Sequence, residues 1–158
     1  MKENKTALMK ATDLLAISEQ SSKNLRQKLL ARKYDVEEVD AAIEKLQKYN
    51  YLNDEEFCKR KFEILYSEGK LSVKQICVKL IQKGFDSELV KKFIPEDIYE
   101  HEFNAATNAL EKKFSRQIFD DSKAEWKFKN KLWQHLASKG FESEIISEVV
   151  EKFLSSRS

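Results

Sequence analysis

The chain has 158 residues, with 29 Lys and Arg against 27 Asp and Glu for a formal net charge of +2; 35% of residues are charged, and only three are Gly and one is Pro. Average usage is about 12% Gly plus Pro and about 25% charged, so this composition predicts an almost wholly helical protein and excludes sandwiches and barrels. With Gly only at 69, 84 and 140, neither GxGxxG nor P-loop spacing exists to cradle a phosphate on backbone amides, which removes the usual kinase and dehydrogenase frameworks.

In chain order, the periodicity predicts helices at roughly residues 4–18, 22–32, 36–49, 54–68, 72–83, 87–93, 96–115, 122–139 and 143–155. The first contains the apolar run Leu14-Leu15-Ala16-Ile17, far short of the roughly 20 residues that span a bilayer, and Met1 to Lys10 has no apolar signal region, so a cytoplasmic protein without membrane contact is expected. The fourth, fifth and eighth begin with capping signatures: Asn53 with Glu56, Ser72 with Gln75, and Ser122 with Glu125. Pro95 suits the first turn of the seventh, with Glu96 and Asp97 favourably placed on the helix dipole. Cys58 and Cys77 stand apart on amphipathic helices without CxxC spacing, which favours buried structural thiols over redox or metal chemistry.

One apolar pattern recurs three times. Two apolar residues four apart are followed by a turn, an aromatic, an acid, and apolar residues five and nine positions after the aromatic. The copies are Leu25, Leu29, Tyr34, Asp35, Val39, Ile43; then Ile76, Leu80, Phe85, Asp86, Val90, Ile94; then Leu132, Leu136, Phe141, Glu142, Ile146, Val150. Phe85 follows Tyr34 by 51 residues and Phe141 follows Phe85 by 56, room for three helices per unit. The expected organisation is therefore all-α: three tandem three-helix units, 1–51, 52–95 and 96–158, stacked into an elongated, curved rod. Gly84 and Gly140 stand where a helix ends in the left-handed conformation; in the first copy Lys33 takes that place and should carry modest strain.

Charge is sorted by helix. Residues 22–33 hold Lys23, Arg26, Lys28, Arg32 and Lys33 without an acid, residues 70–83 hold Lys70, Lys74, Lys79 and Lys83 without an acid, and the third copy sets Lys123, Lys127, Lys129, Lys131 and Lys139 against Glu125 alone. The third helices of the first and last units are acidic instead, through Asp35, Glu37, Glu38, Asp40 and Glu44, and through Glu142, Glu144, Glu148 and Glu151. Aligned basic helices would make a positive stripe for a polyanion or an acidic protein groove; the competing reading is solvated faces and pairing inside each unit.

No catalytic or cofactor signature emerges. His101-Glu102 opens an HExxH-like string whose fifth position is Ala105, His135 stands alone, and no Gly-framed serine nucleophile exists, so no enzyme, metal or cofactor is expected. Phe57, Phe62 and Leu65, like Phe103, Ala106 and Leu110, have core spacing. Trp126 and Trp133, seven residues apart on a basic helix, are expected to pack at a seam between units, with an exposed binding role as the alternative.

Tyr49-Asn50-Tyr51-Leu52-Asn53-Asp54-Glu55-Glu56-Phe57 resembles the Gly-Tyr-Leu-Asp-Asp-Glu-x-Phe segment of the RecX regulators of RecA recombinase. Lys83-Gly84-Phe85 with Val90, and Lys139-Gly140-Phe141 with Ile146, are similar to that family's turns, and order and spacing agree from roughly residue 6 to 155. The resemblance implies a non-enzymatic protein of three three-helix repeats. It would lodge in the groove of the RecA filament on single-stranded DNA, block its extension, and inhibit ATP hydrolysis and strand exchange. Asn50 and Lys33 stand where relatives carry Gly, and Ser18-Glu19-Gln20-Ser21-Ser22 replaces their Arg-rich approach. The candidate contacts to RecA or DNA are Lys23, Arg26, Lys28, Arg32, Lys74, Lys79, Lys127 and Lys131, with Lys59 and Arg60 after the family-like segment. Expected partners are the RecA filament and single- or double-stranded DNA, bound by a monomer. A helix-turn-helix DNA-binding regulator and a helical-repeat scaffold for another protein remain alternatives.

Overall fold

The computed structural model describes residues 4–115 and 122–156, with side chains from residue 125 onward in the second stretch. The described residues form helices joined by turns: α1 (Ala7–Ile17), α2 (Ser22–Ala31), α3 (Val36–Lys48), α4 (Asp54–Glu68), α5 (Val73–Gln82), α6 (Ser87–Lys91), α7 (Tyr99–Phe114), α8 (Ser122–Ser138) and α9 (Ser143–Ser155). Among them, no helix is long and apolar enough to cross a membrane.

Local chemistry accounts for most boundaries. Thr6, Ser21, Asn53 and Ser72 each accept a hydrogen bond from the backbone N–H three residues on, and Gln75 Oε1 accepts from the Ser72 N–H at 3.1 Å to complete the capping box. The Ser122 side chain, and with it the expected cap, lies outside the described residues. One expectation is corrected. Pro95, Glu96 and Asp97 lie in the connection rather than in a helix, and α7 begins at Tyr99, whose N–H donates to Asp97 Oδ1 at 3.0 Å. Pro95 disfavours helical geometry at Ile94 before it, so it acts as a stop after α6, which ends at Lys91, short of the expected 93.

The recurring apolar positions become three separate cores. Leu25, Leu29, Val39 and Ile43 are buried with α1 residues Ala7 and Ala11, and Leu52 closes this core after α3. Ile76, Leu80, Phe85 and Val90 are buried with Phe57, Cys58 and Phe62 of α4. Leu132, Leu136, Phe141, Ile146 and Val150 are buried with Ala105, Ala106, Leu110 and Phe114 of α7. Each unit thus has a first helix packed on a helix pair.

After α5 the chain reverses through Gly84, at φ 100°, with the Gly84 N–H donating to Ile81 O at 2.9 Å and the Phe85 N–H to Leu80 O at 3.2 Å. The turn after α8 repeats both bonds through Gly140 and Phe141, the two-bond ending that a left-handed residue permits. Lys33 holds the same region at φ 71°, as its alignment with the glycines predicts, and Asn50 does so after α3 at φ 60°.

Two junctions built from like parts join the units. Ser21 Oγ donates to Lys83 O at 3.1 Å, Asn24 Nδ2 donates to the same carbonyl at 2.6 Å, and Asp54 Oδ1 accepts from the Ser22 N–H at 2.8 Å. One unit later Ser72 Oγ donates to Lys139 O at 2.6 Å, and the buried Glu102 carboxylate accepts from the Val73 N–H at 3.2 Å. In both, the N-terminus of a second helix meets the C-terminal turn of the next second helix, under a carboxylate from the next first helix. Tyr66 and His101 stack across the second junction with ring centroids 3.9 Å apart. As a result α8, α5 and α2 run head to tail.

Candidate functional site

This head-to-tail line carries most of the candidate residues. Lys23 and Lys28 of α2 correspond, at the 51-residue offset, to Lys74 and Lys79 of α5. Lys74 and Lys79 line a groove of about 500 Å³ where α5 meets the Lys139-Gly140 turn. The 56-residue offset places Asn130 and His135 at the corresponding positions of α8, so neither aligned position there is a lysine, but at about 100° per residue Lys127 and Lys131 fall on the arc between them. Lys131 opens onto a cleft of about 430 Å³ with Lys113 and His135.

The side chains differ in how they are held. Arg26 Nε donates to Asp40 Oδ1 at 2.8 Å, which holds the Asp40 carboxyl below its ordinary value. Arg60 makes a two-pronged pair with Glu19, at 2.6 and 3.1 Å. Lys28 donates to Gln20 Oε1 at 2.9 Å, and Arg32 to Lys28 O at 3.0 Å. The Lys74 stem lies against Gly140, where an added Cβ would stand 3.0 Å from it. Lys23, Lys59, Lys79, Lys127 and Lys131 are exposed and make no ion pair among the described residues. Pairing inside a unit is thus realised at Arg26, and Lys23, Lys59, Lys79, Lys127 and Lys131 are candidates without an ion pair among the described residues.

The HExxH-like string serves the fold. Glu102 caps Val73 and lies 3.1 Å from His101 Nδ1; burial pushes its carboxyl up from the ordinary value. Among the described residues no group of three or more His, Cys, Asp or Glu could hold a metal ion. Cys58 is buried and its thiol is pushed up to about 11, first by that burial and then by Asp54 and Cys77. The tryptophans do not form a seam. Trp133 packs on the core of its own unit, whereas Trp126 is 66% exposed. The reason is helix length: α8 has 17 residues and α5 has 10, and Trp126 sits on the extra N-terminal turns, at the position of Lys70 ahead of α5.

A second basic cluster lies away from the second helices that charge sorting singles out. Lys70, Lys112, Lys113 and Lys139 line a cleft of about 750 Å³ between the ends of α4, α7 and α8, with His135 in its wall and Glu68 as the acid among the described residues that line it. Burial lowers the His135 pKa, and Lys113 and Lys139 lower it further. The doublet Lys112-Lys113 is visible in the sequence, but it closes a first helix, and only folding brings it beside Lys70 and Lys139.

These elements have counterparts in known proteins. Residues 100–150 match the family model of the RecX third three-helix domain, and residues 7–46 match that of the RecX first three-helix domain. The regulatory protein RecX of Clostridium beijerinckii is 31% identical over 135 residues, covering 85% of this chain and 62% of the relative. That of Clostridioides difficile is 29% identical, covering 92% and 66%. That of Caldanaerobacter subterraneus subsp. tengcongensis is 30% identical, covering 94% and 71%. The chain therefore spans less than two thirds of the length of the first two. The crystal structure of RecX from Lactobacillus salivarius has a TM-score of 0.77 at 20% identity over 92% of this chain and 93% of its own, a likeness of fold.

Proposed function

The chain belongs to the RecX family, and from that premise we propose that it is a negative regulator of RecA recombinase. In this reading it is a non-enzymatic, cytoplasmic monomer of three units, 1–51, 52–95 and 96–158, that binds along the groove of the RecA filament on single-stranded DNA. There it blocks extension and inhibits ATP hydrolysis and strand exchange. The observation that carries the reading is the head-to-tail run of α8, α5 and α2, with Lys23, Lys79 and Lys131 exposed along it. Such a run offers contacts at intervals along a repeating partner, and weak contacts made in series add through effective concentration. Acidic groove residues or DNA phosphates would pair with Lys23, Arg26, Lys28, Arg32, Lys59, Arg60, Lys74, Lys79, Lys127 and Lys131.

RecA ATP hydrolysis on single-stranded DNA tests the reading. Inhibition is expected well below one molecule per RecA protomer, weakened by added salt. Charge reversal at Lys23, Lys79 and Lys131 together should abolish it without lowering the melting temperature, because all three are exposed and none makes an ion pair among the described residues. Full inhibition by the folded triple variant would move the contact elsewhere, and no inhibition by the unaltered protein would overturn the function.

A further inference from the structure

We propose that the third unit carries a binding track for single-stranded nucleic acid, beside the groove of the α5 lysines, in which Trp126 stacks on a base and the Lys112, Lys113 and Lys139 cluster holds the phosphates. Three adjoining hollows define its course. The first is a shallow hollow of about 360 Å³ that has Trp126 and Trp133 in its lining, together with Lys129, Asn130 and Gln134. Gln134 also lines the second, where Lys131, Lys113 and His135 face it. Lys113 and His135 continue into the third and largest, the cleft of Lys70, Lys112 and Lys139. The path thus leads from an indole near the N-terminal end of α8 to a lysine cluster at the junction with the middle unit.

The chemistry of the path selects its occupant. Trp126, 66% exposed at the outer end, leaves an indole face open to stacking. An indole face accepts any base, the amides of Asn130 and Gln134 can meet base edges, and ammonium groups serve phosphates as point charges. An acidic peptide would be better served by guanidinium forks, and no arginine is among the described residues that line the three hollows. The strand must be single because a duplex hides the base faces that Trp126 would stack on. His135 suits the site as well: neutral when empty, with its pKa lowered by burial, Lys113 and Lys139, it gains a reason to hold a proton when a phosphate enters. The inference takes its setting from the proposed work on RecA–single-stranded DNA filaments, but its test uses free strand.

Both tryptophans of the chain lie on α8 and line the first hollow, so tryptophan emission reports on it. Titration with oligothymidylate should quench it, and anisotropy of a labelled strand should give the affinity. Trp126→Ala is expected to weaken binding by about tenfold, within the range for one stacked base. The pair Lys112→Gln with Lys113→Gln should lower the log–log salt slope by about 1.4, roughly 0.7 for each phosphate no longer neutralised. An abasic strand of equal length should bind less tightly and quench little. Equal binding of the abasic strand or of polyaspartate, with Trp126→Ala unaffected, would overturn the proposal, as would loss of strand binding on changing Lys23 and Lys79 in place of these residues. RecA inhibition by the same variants separates the two readings. If strand binding is absent while inhibition persists, the track is wrong and the regulator stands; if strand binding occurs without any inhibition, the reverse holds.

Discussion

Lys33 and Asn50 adopt the same left-handed backbone with side chains of unequal tolerance for it. Asn visits this region more readily than Lys because its short polar side chain can bond locally. Lys33→Gly is therefore expected to stabilise the protein by about 0.5–1 kcal/mol and Asn50→Gly by less, read as a difference in denaturant midpoints; a destabilised Lys33→Gly would mean that the side chain, not the backbone, holds this turn. The position of Lys33 was legible because Gly84 and Gly140 align with it, whereas nothing in the repeat pattern flags Asn50 as left-handed. Cys58 yields a second prediction. With its thiol pushed up to about 11, it should react with thiol reagents at about pH 8 at least tenfold more slowly in the folded protein than in the unfolded chain. The folded thiol is a weaker acid than the unfolded one, with its ordinary value of 9.0, so folding loses stability as pH rises from 9.0 toward about 11.

Helix caps were readable because their bonds span three residues, as at Asn53 and Ser72. What the same ends dock against was not, because Ser21 reaches Lys83 across 62 residues and Ser72 reaches Lys139 across 67. The same distance hid the role of Glu102, which looks like half of a zinc motif until Val73 is seen beneath it. The two glycine turns should differ in how much they tolerate. A Cβ on Gly84 would stand 2.5 Å from Ser21 Oγ and 2.7 Å from Asn24 Oδ1, on side chains already committed to Lys83 O, whereas one on Gly140 would meet the flexible Lys74 stem at 3.0 Å. Both substitutions strain the backbone, but Gly84→Ala should also break the junction. We expect it to cost about 2–3 kcal/mol and Gly140→Ala about 1–2 kcal/mol, by urea denaturation. Equal losses would show that only the backbone matters.

At the scale of the whole molecule, three small cores share stability through two junctions, so cooperativity depends on a few polar bonds. Ser72→Ala with Glu102→Ala should uncouple the third unit. Tryptophan emission, confined to that unit, would then change at a different denaturant concentration from the far-ultraviolet dichroism of the whole chain, while the two coincide in the unaltered protein. Continued coincidence would assign the coupling to apolar contacts, including the Tyr66–His101 stack. The basic line was foreshadowed by charge sorting. Asn130 and His135 in place of lysines at the aligned positions of α8 show in the repeat offset as well, but neither the Lys112-Lys113 cleft nor the open Trp126 follows from helical spacing alone. The likeness of the junctions also sets how such a molecule can change length. A tandem copy of the middle unit would bring Ser72 to a Gly84 turn and Asp54 over a Val73 amide, pieces that already fit their counterparts here. A copy of the first unit would bring Ser21 against Lys33, where a side chain stands in place of a hydrogen. Growth by duplication is thus open in the interior of the array and barred at its first turn.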